Sequence, residues 1–301
     1  MKSNPSNVVS FAAPSATAPG GPSAGALSPI PGTDTPLFAE RWLDAFFEGA
    51  WGRINMGQGS GAADDASTID LSGTAIANGA GIVDWGGGIP FTTSGGVGIV
   101  TLGAVLDNLD FESRYDRVMY TTPVFGGFRA QVGTGQKTDT GEVNEASLWF
   151  SGKFAGDLQA AIGWSDERSG SATTPSNETF GGSISWLSAA GFNVTAAYTK
   201  ADLSVASTGV AGTASNEAEH WYGKLGYKFG AHAVSVAYFQ GEDQANIGDE
   251  AKAYTLGYVW NPVRWAEVYA NYILYQLDHS RPGVGDANDI TIVTVGTRLR
   301  F

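Results

Sequence analysis

Cysteine is absent from the chain, which excludes a disulfide framework, a thiolate nucleophile and any cysteine-ligated metal. Long apolar runs are absent as well. No stretch approaches the ~18 residues of a membrane-spanning helix, and mean hydropathy is near zero at −0.08. Positive charge is scarce: 17 Lys and Arg stand against 30 Asp and Glu, a formal net charge of −13. With no basic stripe to neutralise phosphates, nucleic acid is excluded as a partner. Histidine occurs only at His220, His232 and His279. No HExxH zinc motif or dinucleotide fingerprint occurs, and Gly86-Gly87-Gly88 and Gly95-Gly96 lack the Lys-Ser/Thr that completes a phosphate cradle.

What the chain does have is alternation. Leu158, Ala160, Ile162 and Trp164 share one parity, opposite Asp157, Gln159 and Ser165. Phe192, Val194, Ala196 and Tyr198 oppose Asn193, Thr195 and Thr199, and Ala266, Val268, Ala270, Tyr272 and Leu274 oppose Glu267 and Asn271. At the C-terminus, Val293, Val295, Thr297, Leu299 and Phe301 oppose Thr294, Gly296, Arg298 and Arg300. A period of two marks a strand with one apolar face. About thirteen such segments, each near the ten residues that cross a bilayer as a tilted strand, predict an antiparallel transmembrane β-barrel. Charges reach the apolar parity only near strand ends, as at Arg41, Lys200, His232 and Lys252. That is where a cation in the membrane costs least. Tyr and Trp gather at segment ends, where an amphipathic ring suits the bilayer interface. A barrel hides in average composition because each strand is half polar, so the 43% hydrophobic content is compatible with one.

Two regions break the alternation. Residues 1–36 are rich in Pro, Ala, Ser and Gly and read as a flexible or polyproline-like segment. They lack the apolar core of a signal peptide. The barrel is expected over 37–301. Within it, 59–112 has no clear strand pair, and a stretch of that length in a compact domain points to function. It carries Asp64, Asp65, Asp70, Asp84, Asp107, Asp110 and Glu112 and not one Lys or Arg. It reads either as a solvated acidic surface loop or as a loop folded into the barrel. Asp64 and Asp65 could also hold Ca²⁺, a hard cation suited to carboxylate oxygens, although no EF-hand spacing is present.

Three blocks resemble the general porins of Gram-negative outer membranes, particularly the alphaproteobacterial type. They are Glu40–Gly59 (ERWLDAFFEGAWGRINMGQG), Ile69–Thr74 (IDLSGT) and Tyr115–Phe128 (YDRVMYTTPVFGGF), with the ending Val295–Phe301 (VGTRLRF). The resemblance covers Phe38 to Phe301. It implies a 16-stranded barrel in the outer membrane, normally a homotrimer, in contact with lipid and lipopolysaccharide. It further implies an inward-folded constriction loop facing a basic wall, for which Arg53, Arg117, Arg129 and Lys224 have the right parity, with Lys228 further along. Three strands expected before Arg41 are not recognisable, so the chain reads as an incomplete porin or as one that closes in another way. Gln58 and Met119 stand where many relatives carry arginine, which implies a weakened transverse field.

The function so implied is passive diffusion of small hydrophilic solutes and ions through a water-filled channel, weakly cation-selective and without cofactor. Two other classes remain in view. An outer-membrane barrel hydrolase would need a lipid-facing base, and only His232 has that parity, with no serine-centred motif beside it. A non-conducting adhesin or scaffold barrel would need the acidic loop to stay outside.

Overall fold

The computed structural model describes residues 42–107, 109–112, 114–138, 141–169, 177–203 and 216–300. The segment 1–36 and the start of the expected barrel domain at 37–41 lie outside the described residues. Thirteen strands form one sheet, each hydrogen-bonded to its neighbours in chain order. In sequence they are β1 (Leu43–Gly49), β2 (Gly52–Ser60), β5 (Arg114–Thr121), β6 (Phe128–Thr138), β7 (Gly141–Lys153), β8 (Gly156–Ser169) and β9 (Asn177–Ser188). Then follow β10 (Phe192–Leu203), β11 (Asn216–Phe229), β12 (His232–Glu242), β13 (Glu250–Val263), β14 (Ala266–Asp278) and β15 (Ile290–Leu299). Every pairing is antiparallel. Among the described residues β1 and β15 are the two edges and do not pair with each other.

The two ends of the sheet differ. Short turns such as 154–155, 189–191 and 230–231 join strands at one end, and most connections at the other are longer, 61–113 and 279–289 among them. That asymmetry matches outer-membrane barrels, whose tight turns face the periplasm and whose long loops face outward. Gly191 shows why a turn is tight. Its φ is +94°, and a Cβ there would lie 2.1 Å from the Lys228 carbonyl oxygen.

The alternation places apolar side chains outward and leaves them uncovered by protein. Ile162, Leu225, Val236, Leu256 and Val295 are all exposed, with Val295 at 73%. An apolar face this continuous suits hydrocarbon and would aggregate in water. Aromatic pairs border it on both sides. Near the turns, Phe128 meets Phe150 and Phe192 meets Tyr227, with ring centroids 4.8 Å apart in each pair. Toward the long connections, Tyr198 meets Trp221 at 4.2 Å and Tyr238 meets Tyr254 at 5.3 Å. These are the interfacial girdles of a membrane barrel.

The expected loop spans 61–113, because Gly59 and Ser60 still pair with Tyr115 and Arg114. It is not structureless. It contains α1 (Ala75–Asn78), a 3₁₀ turn (Ile82–Trp85), the hairpin β3–β4 (Pro90–Thr92, Gly98–Thr101) and α2 (Leu102–Val105). It lies against the inner face of the sheet. There Ile82, Phe91, Leu102, Val105, Leu106 and Leu109 bury themselves against Tyr222, Phe239, Ala253, Ile273, Tyr275 and Leu277. On β12–β14 the loop, and not water, therefore covers much of the inward face. Inward apolar side chains such as Phe239, Ala253, Ile273 and Tyr275 are tolerated there because protein covers them.

Candidate functional site

The loop is fastened to the wall by hydrogen bonds spread along its course. At its start, Glu145 on β7 accepts from the Ala62 amide at 2.5 Å and from the Tyr115 hydroxyl at 2.8 Å. Ser183 and Ser185 on β9 accept from the amides of Ile69 and Leu71 at 3.0 and 2.9 Å. Thr74 shares a hydrogen bond with Ser235 on β12, and Asn78 donates to Thr255 on β13. Asn271 and Tyr275 on β14 donate to the carbonyls of Ala77 and Ile82, both at 2.8 Å. The hairpin tip reaches the β14–β15 connection, where the Asn288 amide donates to Thr92 O at 2.8 Å.

Close approach is made possible by inward glycines. A Cβ on Gly226 would lie 3.1 Å from Ser72 Cβ, and one on Gly257 would lie 2.6 Å from Asn78 Oδ1. One on Gly163 would lie 3.0 Å from both Ala63 and Phe111. Bulkier residues at these positions would push the loop off the wall.

With the loop held against β7–β15, a recess of about 630 Å³ remains between its first turn and the inner face of β1, β2, β5 and β6. Asp64, Asp65 and Asp70 border it on the loop side, and Arg53, Arg117 and Arg129 on the wall side. Trp42, Asn55, Gln131, Trp149 and Gln159 are also among its lining; of these only Gln159 was placed on the inward parity from the sequence, and none was assigned to the site. A smaller recess of about 450 Å³, which shares Thr68 and Ala75 with the first, lies beside Asp84 and Trp85.

Placement along the wall does not mean equal access to water. Arg117 donates to Ser60 O at 2.6 Å and Gly57 O at 2.7 Å, and pairs with Asp44 at 3.3 Å; its side chain is 2% exposed. It fixes the hinge where β2 turns into the loop. Lys224 lies outside the recess lining, its ammonium 2.6 Å from Asp70, with side-chain exposures of 0% and 5%. Asp70 also accepts from the Ser72 amide at 2.8 Å. This pair is a clamp between loop and wall, and each charge cancels the other.

Arg53 and Arg129 differ from these two. Arg53 lies 3.9 Å from the Phe46 ring centre and 3.8 Å from Glu48. Arg129 lies 5.0 Å from the Trp149 ring centre. Stacking holds both guanidinium groups while leaving their charge toward the recess. Gln58 shares the outward parity of Ile54 and Met56 and is not part of this wall, whereas Met119 is.

On the loop side, burial strips water from Asp64, and the carboxylates of Asp65 and Asp110 repel it further. A Ser60 hydrogen bond works in the opposite direction, and the balance pushes its pKa up to about 7. Asp110 is pushed up to about 6, by burial first and then by Asp107. The two interact, so they titrate as a pair. Glu112 is bound to Lys137 at 2.5 Å. Among the described residues no three Asp, Glu or His side chains converge as a metal site, so the calcium reading of Asp64 and Asp65 finds no ligand set there. His232 belongs to the turn-side aromatic girdle: its ring stacks on Phe229 and Trp260, and Nδ1 is 2.8 Å from the Tyr258 hydroxyl.

Comparisons with known proteins agree with this architecture. A model of Gram-negative porins matches residues 19–280. An anion-selective porin from Comamonas acidovorans superposes with a TM-score of 0.59 at 16% identity, covering 86% of this chain and 77% of its own. OmpT of Vibrio cholerae, an outer membrane protein folded in vitro and solved in a trimer form, superposes with a TM-score of 0.56 at 17% identity. The match covers 88% of this chain and 82% of that one. At such identities the likeness is one of fold. No curated protein matches the chain.

Proposed function

The chain belongs to the Gram-negative porin family, and from that premise we propose that it forms a water-filled outer-membrane channel for passive diffusion of small hydrophilic solutes and ions. The observation that carries this reading is the recess between the inward loop and the β1–β6 wall, polar on both sides and bordered by carboxylates opposite arginines. Charges so arranged orient dipolar solutes and order water without binding tightly. Arg117 and Asp70 are each neutralised by a partner, which leaves Asp64 and Asp65 facing Arg53 and Arg129. With opposed charges so nearly balanced, selectivity is weak. The acidic surplus of the loop tips it toward cations.

The proposed assembly is a homotrimer, the form recorded for the Vibrio cholerae relative. The anion selectivity named for the Comamonas acidovorans porin belongs to that protein, whose identity to this chain is too low to carry it over. The proposed role is that of a channel and not of an enzyme, since the polar groups of the lumen are spent on fastening the loop and facing the recess.

Planar-bilayer recording of the purified full-length protein tests the reading. Stable conductance steps with a reversal potential slightly on the cation side are expected. A correctly folded protein that remains silent would sink it.

A further inference from the structure

We propose that the smaller recess is a subsite for organic ammonium ions, solutes that carry a positive nitrogen on a hydrocarbon body. The inference rests on the channel reading above and names a class of solute that such a channel holds back in passing.

Every residue that lines this recess of about 450 Å³ belongs to the loop, and most are apolar or glycine. Ala75 and Ile76 are the first residues of α1, Ala80 follows that helix, and Trp85 closes the 3₁₀ turn. Asp84 is exposed and is the one charged side chain in the lining. The Trp85 indole is held in place. Half-buried, it packs on the apolar cluster beneath the loop and meets the Tyr269 ring edge-on, with centroids 6.1 Å apart. A carboxylate and a fixed indole thus border one apolar hollow. That hollow shares Thr68 and Ala75 with the larger recess, so the two adjoin.

The chemistry of this lining rejects other solutes. An anion finds no Lys or Arg in it, since the segment 61–112 has none, and meets the Asp84 carboxylate instead. A bare metal ion needs several converging oxygens, and among the described residues no three acidic or histidine side chains converge. A sugar needs many hydrogen-bonding partners. Besides Asp84, the lining side chains offer only the Trp85 N–H and the Thr68 hydroxyl, and the hydroxyl already donates to Asp65 O at 3.2 Å.

An organic ammonium ion suits each part. Its charge is drawn to the carboxylate and to an indole, the best of the aromatic rings for cations. Its hydrocarbon body leaves water against Ala75, Ile76 and Ala80. Neither half suffices alone. An exposed ion pair changes affinity by a factor of roughly one to five, and an exposed cation–π contact by a similar factor. Acting on one small solute together, they give an apparent dissociation constant on the order of 10 mM. That is weak enough to let go and strong enough to interrupt the current.

The test is single-channel recording of the full-length protein in a planar bilayer, with benzyltrimethylammonium added to KCl. The probe is expected to block the potassium current reversibly, half-maximally at about 10 mM. Benzyl alcohol and tetramethylammonium each keep one half of the probe, and each should need at least roughly threefold more. Asp84→Asn and Trp85→Leu should each weaken the block by roughly twofold to fivefold while conductance persists. Trp85→Phe, which keeps a ring, should recover part of the loss. In a conducting protein, three results overturn the inference and leave the channel reading standing: no block, block by a half-probe as strong as by the whole, or block that both substitutions leave untouched. Absence of any conductance overturns both.

Discussion

Replacing Lys224 with methionine should loosen the constriction loop far more than it alters ion selectivity. Lys224 and Asp70 are both cut off from water, 2.6 Å apart, and the ammonium also donates to Asn78 O at 3.2 Å. Removing one partner of a buried pair leaves an uncompensated charge, at a cost of about 3–5 kcal/mol. Tenfold in an equilibrium constant is about 1.4 kcal/mol, so loop opening should become more frequent by roughly two to three and a half powers of ten. The amides of Ile69 and Leu71 report on it directly, because they are held by Ser183 and Ser185. Their hydrogen exchange should accelerate in step. Adding Asp70→Asn to Lys224→Met removes the stranded charge and keeps an acceptor for the Ser72 amide. Most of the protection should then return, and the double-mutant cycle isolates the coupling of the pair. If exchange in Lys224→Met is unchanged while the reversal potential moves, Lys224 stands in water and the clamp does not exist.

Two further outcomes follow from the same geometry. A Cβ at Gly133 would lie 3.4 Å from Ala62 Cβ, close to the spacing of bonded cysteines. In this cysteine-free chain, Ala62→Cys with Gly133→Cys should oxidise completely and leave single-channel conductance intact; a folded barrel in which the bond cannot form would show that the loop is not seated there. The Asp64 carboxyl, raised from 3.8 to about 7, is neutral at pH 5 and charged at pH 8. Cation preference should therefore grow across that interval, and Asp64→Asn should flatten the curve. Because the folded state holds this proton more tightly than the unfolded one, the docked loop loses stability as pH rises from about 4 to about 7. Proteolysis of the loop should be faster at pH 8 than at pH 5 in the wild type, and insensitive to pH in Asp64→Asn if this carboxyl dominates.

Much of the wall was legible because side-chain direction along a strand is fixed by parity, and lipid enforces that parity on every strand. The outward set Leu158, Ala160, Ile162 and Trp164 and the inward set Glu267, Tyr269 and Asn271 stand as the alternation placed them. The existence of the acidic loop was legible from the failure of alternation. Its seat was not. A serine such as Ser183 has the same parity whether it meets water or a loop amide, and nothing local distinguishes the two. Two weak signals were present. Tyr272, Ile273, Leu274 and Tyr275 are apolar on both parities, as expected of a strand covered on both faces. The inward glycines Gly163, Gly226 and Gly257 lie in strand interiors, where turns give no reason for them. Together they trace the path of the loop across the wall. The distinction between Arg53, whose charge is left toward the recess, and Arg117, whose guanidinium is taken up at the recess edge, depends on carbonyls at Gly57 and Ser60 whose position no parity rule supplies.

The fastening of the loop also orders events during biogenesis. Strand partners are mostly neighbours in the chain, whereas the loop's bonds run from residues 62–82 to acceptors and donors as distant as Asn271 and Tyr275. Contacts that span so much chain form late, since the intervening segment must first be brought into place. Hairpins therefore accumulate before the loop has a surface to settle on, and the newborn sheet passes through a stage with an unobstructed bore. Sealing of that bore down to its working aperture is the last act of maturation, and it waits on the penultimate strand.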